Sequence, residues 1–190
     1  MNKIILTGNY DAKKKMVTAK RLSNNFDVIP VVFPSLIKEP DNDCRISIEG
    51  AIINQKGNVY VEVYHLNDIS NQEPDSTICE LKGVIKKLYP VRVTKKGHKL
   101  QDMLVEAEGQ LIKVVAFEPC PDYISVGVAV RVRGRLQSRA FTQLATFGTI
   151  SKVVYEVALK NLEVIEEEFD PYDLFDDLDM LEGEDEPGNN

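Results

Sequence analysis

One pattern of short β-forming runs occurs twice in this chain, and that duplication constrains its fold more than any other feature. Val28–Pro34 resembles Leu111–Pro119, Cys44–Gly50 resembles Val128–Gly134, and Val59–Ile69 matches Val154–Ile165, in the same order. Repeats so far apart are longer than solenoid units, so the chain reads as a duplicated β unit. Runs rich in Val, Ile and Tyr recur throughout, and no stretch of the body keeps a 3.6-residue period, which makes the body all-β. The first unit is expected to hold strands at 3–10, 16–22, 26–33, 44–54 and 59–68, with room for a short helix in the crossing Pro34–Asp43. The second is expected to hold strands at 79–93, 99–108, 111–117, 126–141 and 150–165, turning at Lys95–Gly97 and Gly109 and crossing at Pro119–Ser125.

Five strands with a longer link between the third and fourth give the order of an OB-fold barrel, although five short strands also suit an SH3-like barrel. Closure is expected because an open sheet of this size leaves unpaired edges. The fold class is therefore all-β, with two tandem OB-fold-like barrels and a disordered acidic C-terminal tail. The boundaries read as a first OB-like unit over 1–70, a linker over 71–77, a second OB-like unit over 78–165 and the tail over 166–190.

Charge separates these segments. Twelve of the 30 carboxylates and none of the 23 lysines and arginines fall in 166–190, so the tail is −12 and the body +5. Residues 1–76 hold 9 basic and 10 acidic side chains, whereas 77–165 hold 14 and 8, which places the positive excess in the second unit. A basic body with an acidic tail points to nucleic-acid contact plus an interaction segment. The three cysteines, Cys44, Cys79 and Cys120, are odd in number and widely spaced, so neither a disulfide framework nor a zinc ribbon fits, and a reducing cytoplasm is expected. The only apolar run near the start, Ile4–Leu6, is too short for a signal core, and no stretch reaches the roughly 20 apolar residues of a bilayer span. Nucleophile elbow, Walker loop, zinc-protease and dinucleotide motifs are all absent, and His65 and His98 have no partner at ligand spacing. No enzyme activity, metal or cofactor is expected.

Binding residues concentrate in the second unit. Strand alternation sends Val130, Val132 and Leu136 inward and Arg131 and Arg133 outward, while a bulge at Gly134 leaves the direction of Arg135 open. Guanidinium groups on one outer face suit a phosphate chain, because they donate paired hydrogen bonds to its oxygens and stack on bases. Lys86, Lys87, Tyr89, Arg92, Lys95, Lys96 and Lys99 form a second basic run on the first strand and the loop after it, one of the loops through which OB-folds take oligonucleotides. Phe147, between the last two strands, is placed equally well to stack a base or to plug the core. The first unit presents Arg45, Ser47 and Glu49 where the second has arginines, a poorer polyanion surface; Tyr60 and Tyr64 suit core or dimer packing at least as well as stacking. In the tail, Tyr172, Phe175, Leu178 and Leu181 recur at three- and four-residue spacing among acids, a pattern that folds into an amphipathic helix on a partner's groove.

Val130–Arg139, reading Val-Arg-Val-Arg-Gly-Arg-Leu-Gln-Ser-Arg, resembles the Gly-Arg-Leu-Gln-Ser/Thr-Arg strand of the bacterial single-stranded DNA-binding protein family. Ile112–Phe117 takes the place of that family's preceding inner strand, Met1–Asn9 resembles its opening strand, and the acidic tail is a third likeness. Some members carry two OB-folds per chain. The chain departs from the family in having no Trp and in closing on Glu186–Asn190 instead of an acidic tip ending in Phe. It therefore looks like a divergent relative, similar to those that phages and plasmids carry. The resemblance implies a protein that coats single-stranded DNA in replication or recombination with little sequence preference, Arg131, Arg133, Arg135 and Arg139 lying along the strand. The tail would then recruit replication or recombination proteins. A protein-binding replication adaptor with a DNA-mimicking tail is the alternative; no membrane partner is expected, and self-association stays open.

Overall fold

The computed structural model describes residues 1–67, 73–145 and 148–165, so Phe147 and the tail residues Tyr172, Phe175, Leu178 and Leu181 lie outside it. Eleven strands make up the described chain: β1 (Asn2–Asp11), β2 (Met16–Lys20), β3 (Phe26–Val32), β4 (Cys44–Gln55), β5 (Asn58–Asn67), β6 (Ser76–Leu88), β7 (Arg92–Val93), β8 (Lys99–Ala107), β9 (Gln110–Ala116), β10 (Ala129–Ala145) and β11 (Gly148–Val164). The expected all-β body is present, with three local differences. The Pro34–Asp43 crossing contains no helix; Ile37 N donates to Pro34 O at 2.9 Å in a single turn, and the prolines at 34 and 40 leave too short a run between them to nucleate one. The strand expected over 79–93 stops at Leu88, because Pro90 has no N–H for the ladder, and pairing resumes only at β7. β10 and β11 overrun their expected limits and form a long antiparallel arm, paired from Val130↔Val164 to Ala145↔Gly148.

Each half of the chain pairs in a circuit that returns to its start. In the first, β1 pairs with β2, β2 with β3, β3 with β5, β5 with β4 and β4 with β1; in the second, β6, β8, β9, β11 and β10 repeat that order. Both circuits are antiparallel except where the third strand meets the fifth, at Val31↔Val61 and Val32↔Glu62 and again at Val114↔Val157 and Val115↔Ala158. The register breaks at an equivalent place in each, and in the second circuit also between Ile85 and Lys87 of β6. Tyr64 is the unmatched residue beside Gly50, and Lys160 is the unmatched residue beside Gly134. A Cβ on Gly134 would lie 2.5 Å from Ala158 O, and one on Gly50 would collide with Glu62 O, so only glycine admits the partner backbone at these points. The extra residue sits on the partner strand and not at Gly134. Alternation along β10 is therefore unbroken, and Arg135, whose direction the sequence leaves open, points the same way as Arg131 and Arg133.

The circuits are joined through β1 and β6, which pair antiparallel from Asn2↔Leu81 to Thr7↔Ser76. Ile4 lies opposite Gly50 and Cys79 opposite Gly134, so Ile4 and Cys79 are equivalent, and they pair with each other. The joint is a pseudo-two-fold axis. Two matching clasps flank it. Ser138 N donates to Asp27 Oδ1 at 2.8 Å and Val28 N to Ser138 Oγ at 2.9 Å, while on the other side Asn54 N donates to Gln110 Oε1 at 2.9 Å and Asn54 Nδ2 to Leu111 O at 2.7 Å. Directly opposed residues share a sheet face, and Ile4, Leu6, Thr77 and Cys79 are all buried. Both circuits therefore close on the same side of the shared sheet, and their buried side chains form one continuous apolar cluster. Each fully buried Leu, Ile or Val in it contributes about 1.5–3 kcal/mol.

Candidate nucleic-acid interface

The candidate cations fall on two surfaces that meet at Gln137, which accepts from Arg135 and donates to Glu156. The first is the outward side of the sheet formed by β4, β1, β6 and β10. With Val130, Val132 and Leu136 buried, Arg131, Arg133 and Arg135 all point out. Carboxylates stand beside them. Glu80, directly opposite Arg133, lies 3.1 Å from its Nε and 3.4 Å from that of Arg131, which also approaches Glu163 at 3.6 Å. Arg135 Nη2 donates to Gln137 at 3.2 Å, and its Nε is 4.0 Å from Asp27, too far for a hydrogen bond. Half-exposed pairs of this kind contribute under about 1 kcal/mol, so they orient the arginines and still let another anion replace Glu80.

The second surface comprises the loop after β6 and the outer side of β8 and β9. Lys86 pairs with Glu106 at 2.6 Å, and Lys87 Nζ stands 4.6 Å over the ring of Tyr89. The backbone of Tyr89 is fixed in turn: its N–H donates to Asp102 O at 2.9 Å and its carbonyl accepts from Gln101 Nε2 at 3.2 Å. Lys95, Lys96 and Lys99 are exposed around the β7–β8 turn and form no ion pair among the described residues. Arg92 and Arg139, distant in sequence, are brought together by a run of alternating charges. Arg92 lies 3.0 Å from Asp102, Asp102 is 3.2 Å from Lys113, Lys113 is 3.1 Å from Glu156, and Glu156 is 3.4 Å from Arg139. Glu156 is 1% exposed and also accepts from Gln137 Nε2 at 3.1 Å, the partners that a buried carboxylate requires. Burial alone would raise the Asp102 carboxyl, but its hydrogen bonds from Arg92 and Lys113 outweigh that and hold it below its ordinary 3.8.

Lys113, Asp102, Glu156 and Glu80 belong to these surfaces without having been singled out in the sequence. The signal for Lys113 is its place as a lone lysine in the apolar run Leu111–Ala116; a count of cations overlooks the carboxylates that tie them.

Cations of the first unit are paired with carboxylates as well. Arg45 is held by Asp75 at 2.6 Å, Lys3 by Glu49 at 2.7 Å and Lys14 by Asp11 at 3.0 Å, and Lys15 pairs with Glu39. The outer side of β2 and β3 carries no carboxylate: Met16 faces Pro30, Thr18 faces Val28, and Lys20 faces Phe26, which is 56% exposed.

No protein-family model matches the sequence, and no curated protein matches it. Among solved structures, the fold is similar to the wild-type single-stranded DNA-binding protein of Thermus aquaticus, with a TM-score of 0.62 and 12% identity over 88% of this chain and 94% of that one. A deletion mutant of the same Thermus aquaticus protein gives a TM-score of 0.61 and 15% identity over 90% and 97%. The likeness to a single-stranded DNA-binding protein is one of fold, and it extends over nearly the whole of both chains.

Proposed function

We propose that this chain binds single-stranded DNA with little sequence preference and coats it during replication or recombination. The observation that carries the reading is the fold shared with a single-stranded DNA-binding protein, combined with the positive excess of residues 77–165. On this reading the two circuits are OB-type barrels, one over 1–70 and one over 78–165, with 71–77 linking them and running into β6 at Ser76. Arg131, Arg133 and Arg135 contact the phosphate chain from one surface; Lys86, Lys87, Tyr89, Arg92, Lys95, Lys96, Lys99 and Arg139 contact it from the other. Guanidinium and ammonium groups track the backbone by charge, and Tyr89, with Phe147 in the loop between the last two strands, stacks bases, a mode that tolerates any sequence. The chemistry is binding without catalysis, in the cytoplasm. Residues 166–190 recruit a replication or recombination partner through Tyr172, Phe175, Leu178 and Leu181.

Anisotropy of labelled oligothymidine tests this. Saturable binding that needs no magnesium and persists in a chelator is expected. Failure to bind, or cleavage of the oligonucleotide on adding metal, overturns it.

A further inference from the structure

A groove of about 470 Å³ lies where the units meet beyond the Ser138 clasp, a size in the range of small-ligand sites. The first unit lines it with Lys15, Pro30, Val32 and Tyr60, and the second, at the base of the β10–β11 arm, with Lys152 and Tyr155. Two tyrosines, two lysines and apolar side chains, with no carboxylate in the lining, make a wall suited to a nucleotide. Aromatic faces take a base of any identity and ammonium groups take the phosphate. Lys15 is already paired with Glu39, but exposed Lys152 forms no ion pair among the described residues. Tyr155 is half-buried and packs against the apolar cluster, and that burial raises its phenol above its ordinary value. The approach is apolar as well, since Phe26, Val28 and Val32 are exposed along β3 and lead from the clasp to the groove.

We infer that this groove holds a nucleotide of the bound single strand as it passes from one unit to the other, with Tyr60 and Tyr155 against the base and Lys152 beside the phosphate. The inference rests on the single-strand reading above and adds a site shared by both units.

Photo-crosslinking of the full chain to oligothymidine carrying 5-iododeoxyuridine tests it without any mutation, and the chain has no Trp to compete for the crosslink. Crosslinks at Tyr60 or Tyr155 are expected. Tyr60→Leu and Tyr155→Leu should each weaken oligothymidine binding by about tenfold, the loss of one stacked base. Lys152→Gln should make the salt dependence shallower by about 0.7 in log–log slope. Unchanged melting temperatures would separate these losses from unfolding. If oligothymidine binds the wild type but crosslinks only elsewhere, and the three variants bind like it, the groove is wrong while the single-strand reading survives. If the wild type binds no oligothymidine, both fall.

Discussion

The two units share a strand circuit, a glycine at the same register break and matching clasps, yet they differ in how charge is spent on those positions. The clearest contrast is between the clasps. Gln110 fills one with a neutral amide, whereas Asp27 fills the other with a carboxylate that is 1% exposed. That carboxylate accepts from Ser138 N at 2.8 Å and from Arg21 Nε at 2.8 Å, and Arg21 Nη2 donates in turn to Ser138 O at 2.9 Å. A duplicated fold thus keeps the positions at which backbones meet and lets the chemistry at those positions diverge. The charged version has become dependent on a second residue, Arg21, that the neutral version does not need.

The largest expected effect lies in that contrast. Asp27→Ala removes one partner of a buried ion pair and should cost about 3–5 kcal/mol, whereas Gln110→Ala removes a neutral hydrogen bond and should cost about 1 kcal/mol. Denaturant unfolding of both variants measures the difference; equal losses would make the clasps energetically alike. The next comparison is expected to show no difference. Gly50→Ala and Gly134→Ala each force a methyl group onto a carbonyl of the partner strand and should destabilise similarly, by about 1–3 kcal/mol. A variant that melts like the wild type would break the equivalence of the two register breaks.

In binding, the units should separate again. Replacing Arg131 and Arg133 by Ala should weaken oligothymidine binding about twentyfold near 0.1 M salt, the loss of two phosphate contacts. Replacing Lys13 and Lys20 by Ala should do much less. A larger loss from the first-unit pair would shift the main contact surface there. The smallest effect concerns pH. Because Arg92 and Lys113 hold Asp102 below 3.8, its contribution to stability is present above its unfolded value and is lost as pH falls through the lowered one. Asp102→Asn should therefore flatten the acid limb of a melting-temperature profile while leaving the neutral limb parallel to the wild type, and an unchanged acid limb would contradict the role given to Asp102.

Much of the fold was legible in the sequence because a strand announces itself locally, by alternation and by the turn residues at its ends. The repeat of Cys44–Gly50 in Val128–Gly134 marked the duplication, and nearly every strand lay where alternation put it. What stayed hidden depended on partners distant in the chain. A glycine in a strand marks a bulge or a close approach, and at Gly134 both occur, but only the path of β11 shows that the extra residue is Lys160 on the partner strand. Cation counting likewise described the Arg131–Arg139 strand and the Lys86–Lys99 loop without Glu80, Asp102 or Glu156, whose placement is set by pairing across the sheet. The joining of the units through β1 and β6 had no local signal at all, since edge pairing depends on which backbone groups are left open.

The central claim is that the basic body of this chain holds the phosphate backbone of an unpaired strand, and its most direct test is a salt titration of binding to oligothymidine and to a duplex of the same length. With about four phosphates neutralised, log K against log salt should fall with a slope of roughly −3, and the single strand should bind more tightly at every salt concentration. Equal affinity for the duplex, or a slope near zero, would contradict the account.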